Sequence, residues 1–148
     1  VVTVVDFFFS TCPTICIDMA TNKREIQSFF LEDNSKVQIL SFTVDPETDT
    51  QEKLLQYAYD NNVNSNSWNL ATGDKVSIYE LARKSFMVTA TEGDGGEDDF
   101  IHDNKFVLID REKRIRGYYD GTSHEDTERL KQDIQKLLVS YIIPHKEK

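Results

Sequence analysis

Basic charge, cysteine, proline and glycine are all in short supply in this chain of 148 residues. Lys and Arg number 17 against 26 Asp and Glu, a formal charge of −9 at pH 7. So acidic a chain opposes the phosphate term that drives nucleic-acid and anionic-membrane binding, and it suits cations or basic partners instead. Six Gly and three Pro exclude the collagen-like and Pro/Gly-rich disordered classes. Two Cys are too few for a disulfide-stapled miniprotein, and a chain of this length needs no such staples. The longest strongly apolar run, residues 1–9, is broken by Asp6 and falls far short of the roughly 20 residues of a membrane helix. No basic segment precedes it and no cleavage site follows, so it does not read as a signal peptide. The chain opens directly on a strand pattern, which predicts a further segment upstream of Val1.

Apolar residues are present in quantity, 39% with nine Phe, six Tyr and one Trp, enough for the core of one domain spanning residues 1–148. No repeat or low-complexity linker divides it. Residues 1–8 are β-branched and aromatic, the pattern of a strand buried on both faces. Pro13 suits the first turn of a helix, with Ile15, Met19, Ile26, Phe29 and Phe30 as its apolar stripe up to about Leu31. A second apolar strand covers residues 36–44 and ends at Asp45-Pro46. Asp49 or Thr50 can cap the next helix, which buries Leu54, Leu55, Tyr57, Ala58 and Tyr59 and stops at the Asn-rich run 61–66. Residues 68–71 give a short strand, 76–84 a short helix, and 91–99 an acidic loop containing Gly. Residues 105–110 and 115–119 pair as a hairpin. Thr122 or Ser123 caps a last helix with Leu130, Ile134, Leu137, Leu138 and Tyr141 at helical spacing. This order predicts an α/β, thioredoxin-like fold: a central mixed, mostly parallel sheet flanked by helices, closed by a C-terminal hairpin and helix. Reactive groups are expected at the carboxyl end of the first strand, where the next helix begins.

Both cysteines fall at that junction, in Cys12-Pro13-Thr14-Ile15-Cys16. With Cys12 at the helix N-cap and Cys16 one turn later, the two sulfurs can converge, and the helix N-terminus favours the thiolate. A thiolate is both nucleophile and soft metal ligand, so a redox pair and a metal pair are both open. Three intervening residues, rather than the two of a thioredoxin motif, leave room for an ion. Two thiolates do not close a site, and three histidines compete for a third place. His145 follows Pro144 in a charged tail and His124 lies in the first turn of the last helix, both expected at the surface. His102 lies between the acidic loop and the strand from residue 105, and reaches the first strand's carboxyl end if the loop folds back.

Blocks along nearly the whole chain resemble one family in order. They are Phe7-Phe8-Phe9-Ser10-Thr11-Cys12-Pro13-Thr14-Ile15-Cys16, Val44-Asp45-Pro46-Glu47-Thr48-Asp49-Thr50, Trp68-Asn69-Leu70-Ala71-Thr72-Gly73, the acidic loop leading to Ile101-His102, Phe106-Val107-Leu108-Ile109-Asp110, and Ile115-Arg116-Gly117-Tyr118-Tyr119. The family is Sco/SenC. The resemblance implies one copper ion, Cu(I) or Cu(II), bound by Cys12, Cys16 and His102. It implies a role in assembling the binuclear copper centre of cytochrome c oxidase, by copper delivery, by thiol reduction of the target's cysteines, or by both. The partners implied are the copper-centre subunit of the oxidase and a copper donor or thiol reductant. The location implied is the extracytoplasmic face of a membrane (bacterial envelope or mitochondrial intermembrane space), through an anchor and N-terminal hairpin upstream of Val1. Asp45, at the end of the second strand, is either an outer group supporting the site or simple turn chemistry.

The chain departs from the family at Ile17, where Pro commonly follows the second cysteine. A thiol–disulfide oxidoreductase cycling Cys12 and Cys16 is the alternative reading. Such enzymes place a cis-proline before a later strand, and none of Pro13, Pro46 and Pro144 precedes Lys105. A peroxiredoxin would need Thr three residues before its cysteine, and Phe9 stands there. Two cysteines and one histidine leave a structural zinc site one ligand short. The five acids Glu92, Asp94, Glu97, Asp98 and Asp99 are expected to be solvated, and Phe7, Phe8 and Phe9 to be core.

Overall fold

The computed structural model describes residues 1–148 except 12–14, 34, 90 and 143–148, and residues 15 and 16 through their backbone alone. Strand β1 (Val2–Phe8) is the middle of a five-stranded sheet. Helix α1 (Ile15–Phe29) leads to β2 (Val37–Thr43), α2 (Gln51–Asp60) and β3 (Trp68–Ala71). Then come α3 (Lys75–Glu80), a wider turn over Leu81–Ser85, the hairpin β4 (Lys105–Ile109) and β5 (Ile115–Asp120), and α4 (His124–Ile142).

The sheet order is β3-β2-β1-β4-β5. β1 pairs with β2 in parallel, Val2 opposite Val37 through Phe8 opposite Thr43, and β2 with β3 likewise. β4 is antiparallel to both β1 and β5, so it alone runs against the other four strands. Burial on both faces explains the nearly continuous apolar pattern of β1. Val2 and Val4 join Met19, Ile26, Leu130 and Ile134 beneath α1 and α4. Val5 and Phe7 join Ile78, Tyr79, Ala82, Val88 and Ile101 on the opposite face.

Asp6 is the exception, and it is wholly buried. Its carboxylate meets Lys23 Nζ of α1 at 2.8 Å, and Ser41 Oγ of β2 donates to its other oxygen. Trp68 Nε1 of β3 donates to Ser41 Oγ at 3.1 Å. The Lys23 ammonium also lies over the rings of Phe8 and Trp68, 4.9 and 5.2 Å from their centroids. A charge pair out of water holds only when every polar group is matched, and here the matching joins three strands to α1.

Several expected boundaries and faces shift. α1 begins at Ile15; the Pro13 start lies outside the described residues. Phe29, Leu55 and Tyr59 are exposed rather than buried, because each sits beside its helix's true stripe, and α1 ends at Phe29 rather than near Leu31. Thr50 caps α2, accepting from Lys53 N–H, and Asp74 caps α3. Ser123 caps α4 by accepting from Asp126 N–H, while the Thr122 hydroxyl turns to Asp120. Among the described residues no helix is long and apolar enough to cross a membrane.

Candidate functional site

From Phe8 the chain leaves the sheet through Phe9, Ser10 and Thr11 toward Cys12. Cys12 and the N-cap position expected for it lie outside the described residues; Cys16 is described only as the second residue of α1. The approach to them is held by Asp49. Its buried carboxylate accepts Ser10 N–H at 3.0 Å, the Ser10 hydroxyl, and the Thr43 hydroxyl at 2.6 Å. The exit of β1 is thus fixed to the end of β2 and the entry of α2. Sequence reasoning offered Asp49 only as a helix cap. Beyond its place in the Asp45–Thr50 block, nothing in the sequence marks it as the acceptor of three hydrogen bonds.

His102 comes to the same edge of the sheet. Ile101 and Asp103 are buried and His102 between them is exposed, the alternation of an extended segment. Burial holds the Asp103 carboxyl above the usual carboxylate range. The imidazole packs edge-on against Phe9, centroids 5.5 Å apart, and at a tilt against Phe100 at 5.0 Å. Phe9 and Phe100 meet edge to face at 5.0 Å. Phe9 is half-buried: it packs against the core of that face of the sheet, and its ring also serves this cluster. The loop does fold back, and it brings His102 against a residue three positions before Cys12.

The backbone before His102 is tied down by α3. The buried Tyr79 hydroxyl donates to Val44 C=O at 2.6 Å and accepts from Ile101 N–H at 3.4 Å. Burial pushes this phenol above its ordinary pKa, so it stays a donor. Arg83 grips Asp99 with both terminal guanidinium nitrogens, at 2.5 and 2.7 Å, and Gly95 N–H adds a third bond at 2.9 Å. The Arg83 pairing holds the Asp99 carboxyl down to about 2. Lys75 Nζ donates to Gly96 C=O at 2.8 Å. Gly95 has φ of +74° with Val76 Cα against it, a place closed to a side chain. Glu92, Asp94, Glu97 and Asp98 are exposed as expected, but Asp99 is the loop's anchor.

Asp45 is half-buried. Its N–H donates to Thr43 Oγ1 at 3.1 Å, and its carbonyl accepts from Thr48 and Asp49 N–H, the bonds of a turn. His145 lies outside the described residues. His124 is at the surface, 3.8 Å from Glu25 and 3.7 Å from Glu128. These three offer ligand atoms within 4.8 Å of one another, but Lys131 already pairs with Glu128 at 2.8 Å.

A family model described as SCO1/SenC matches residues 1–139. A SCO1 protein homolog of Bacillus subtilis (strain 168) is 31% identical over 131 residues, 88% of this chain and 67% of that protein. A SCO1/SenC family lipoprotein from Bacillus anthracis str. Ames superposes with a TM-score of 0.78 at 30% identity, over 93% of this chain and 81% of that one. Yeast Sco1 with copper bound shares the fold at TM-score 0.72 and 22% identity, over 99% and 82% of the two chains. The Sco family comprises cytochrome c oxidase assembly proteins, and a disulfide switch has been identified in its member BsSco. With its thioredoxin-like sheet, and with the match running through both cysteines and His102, this chain belongs to the SCO1/SenC family.

Proposed function

We propose that this chain is a copper-binding assembly factor for cytochrome c oxidase, with Cys12, Cys16 and His102 as the ligands of one copper ion. Copper is its cargo, delivered to the copper-centre subunit of the oxidase at the extracytoplasmic face of a membrane, with the anchor upstream of Val1. The observation that carries the reading is the contact of the His102 ring with Phe9, which brings an imidazole to the strand end that leads into Cys12. Two thiolates and one imidazole are a donor set that satisfies Cu(I) at three-coordination and gives Cu(II) strong ligands. An exposed third ligand lets the ion leave toward an acceptor. Copper binding needs the dithiol. Thiol–disulfide exchange with an external disulfide, which takes the two electrons and leaves as two thiols, joins Cys12 and Cys16, removes two ligands and releases the ion, so redox state gates loading.

The test is an anaerobic titration of the reduced protein. Cu(I) is followed by chelator competition and Cu(II) by thiolate charge-transfer absorption, beside His102→Ala. One tight equivalent is expected, with more than about tenfold weaker binding in the variant. Weak binding indifferent to His102, with rapid disulfide exchange at Cys12–Cys16, would make this a thiol–disulfide oxidoreductase.

A further inference from the structure

We infer that Tyr79 is a positioning residue for His102, acting through the backbone of Ile101. The inference rests on the ligand role proposed for His102. β2 and β4 do not pair with each other, because β1 lies between them. No ladder therefore connects Val44, at the end of β2, with Ile101, ahead of β4. The pairing of β1 with β4 runs only from Thr3 opposite Ile109 to Val5 opposite Val107, so residues 100–104 lie past its last rung. The Tyr79 hydroxyl makes the missing connection, donating to Val44 C=O and accepting from Ile101 N–H.

The next residue after each of these partners is a candidate site residue, Asp45 after Val44 and His102 after Ile101. The hydroxyl thus sets the spacing of two chain segments that flank the exit of β1. Two cations lie over its ring, Lys75 Nζ 5.1 Å and the Arg83 guanidinium carbon 5.6 Å from the centroid. The ring is nearly inaccessible, so its hydroxyl has little freedom to find another partner. The His102 ring is gripped by Phe9 and Phe100, which fix its face; Tyr79 fixes the main chain from which it projects.

Tyr79→Phe removes one oxygen and keeps the packed ring. In the copper-free variant, the Ile101 amide should exchange at least about tenfold faster and the His102 ring resonances should shift, while the dithiol potential stays unchanged. Cu(I) affinity should fall about tenfold, the effect of losing an outer support of a ligand. Combined with His102→Ala, Tyr79→Phe should cost nothing further. An equal loss in both backgrounds would mean that Tyr79 does not act through His102, and would overturn the inference. So would unchanged affinity in Tyr79→Phe where His102→Ala weakens binding, and that result leaves the copper reading standing. If His102→Ala binds copper normally, the copper reading falls. The copper-free amide exchange and ring resonances then decide the positioning role by themselves, and unchanged values overturn it.

Discussion

Two ion pairs, one on each face of the sheet, do opposite kinds of work. Asp6–Lys23 lies wholly inside, between β1 and α1, with Ser41 and Trp68 completing it from β2 and β3. Arg83–Asp99 is part-buried and joins the α3 region to a loop. The first cannot change without disturbing three strands. The second holds one irregular segment whose end is His102. The fold keeps one charge pair sealed under the strand that leads to the cysteines, and the other as the anchor of the arm that carries the histidine.

The comparison breaks most sharply at Asp6. Asp6→Ala removes the carboxylate 2.8 Å from the buried Lys23 ammonium, and about 3–5 kcal/mol of unfolding free energy should be lost in urea titrations. Replacing both partners, Asp6→Leu with Lys23→Met, should recover most of that loss. A mild Asp6→Ala effect would show that water reaches Lys23 and that the pair is not the sheet's internal tie. Asp49→Ala comes next. It strands the Thr43 hydroxyl and two donors of Ser10, for about 2 kcal/mol. It should also loosen the chain ahead of Cys12, read as faster exchange of the Ser10 amide with little change at Ile101. Equal changes at both amides would mean that the two arms of the site are one cooperative unit.

The strands were readable because burial on both faces leaves an unmistakable run of apolar residues, and α4 because its stripe repeats at helical spacing. Asp6 was visible as a flaw in the first run. Lys23 was not, since helical periodicity treats a charged position as solvent-facing, and nothing local announces that its amine reaches a carboxylate inside the sheet. The same limit hid Asp99 among five acids and gave Asp49 to a helix cap. Each is defined by a partner distant in sequence: Arg83 for one, Ser10 for the other. His102 was found from its chemistry and its place before β4. Phe100, two residues away, packs on its ring from the same segment, while Phe9 against the ring and Tyr79 at the Ile101 amide come from distant segments that only the folded chain brings there.

The smallest effect is the most discriminating for the loop. Arg83→Gln should cost about 1–2 kcal/mol near neutral pH, the range for a charge-assisted bond close to solvent. The pairing lowers Asp99 from an ordinary value of 3.8 to about 2. A lowered folded-state value means that the contribution is complete above about pH 4 and disappears as pH falls through 2. The gap between wild type and Arg83→Gln, measured by urea unfolding, should therefore hold steady from neutral pH to about 4 and close toward pH 2. A gap that persists undiminished in acid would assign the effect of Arg83 to its packing over the Tyr79 ring rather than to Asp99. The clamp would then act on His102 through Tyr79, and the contrast with the buried pair would be one of packing rather than of charge.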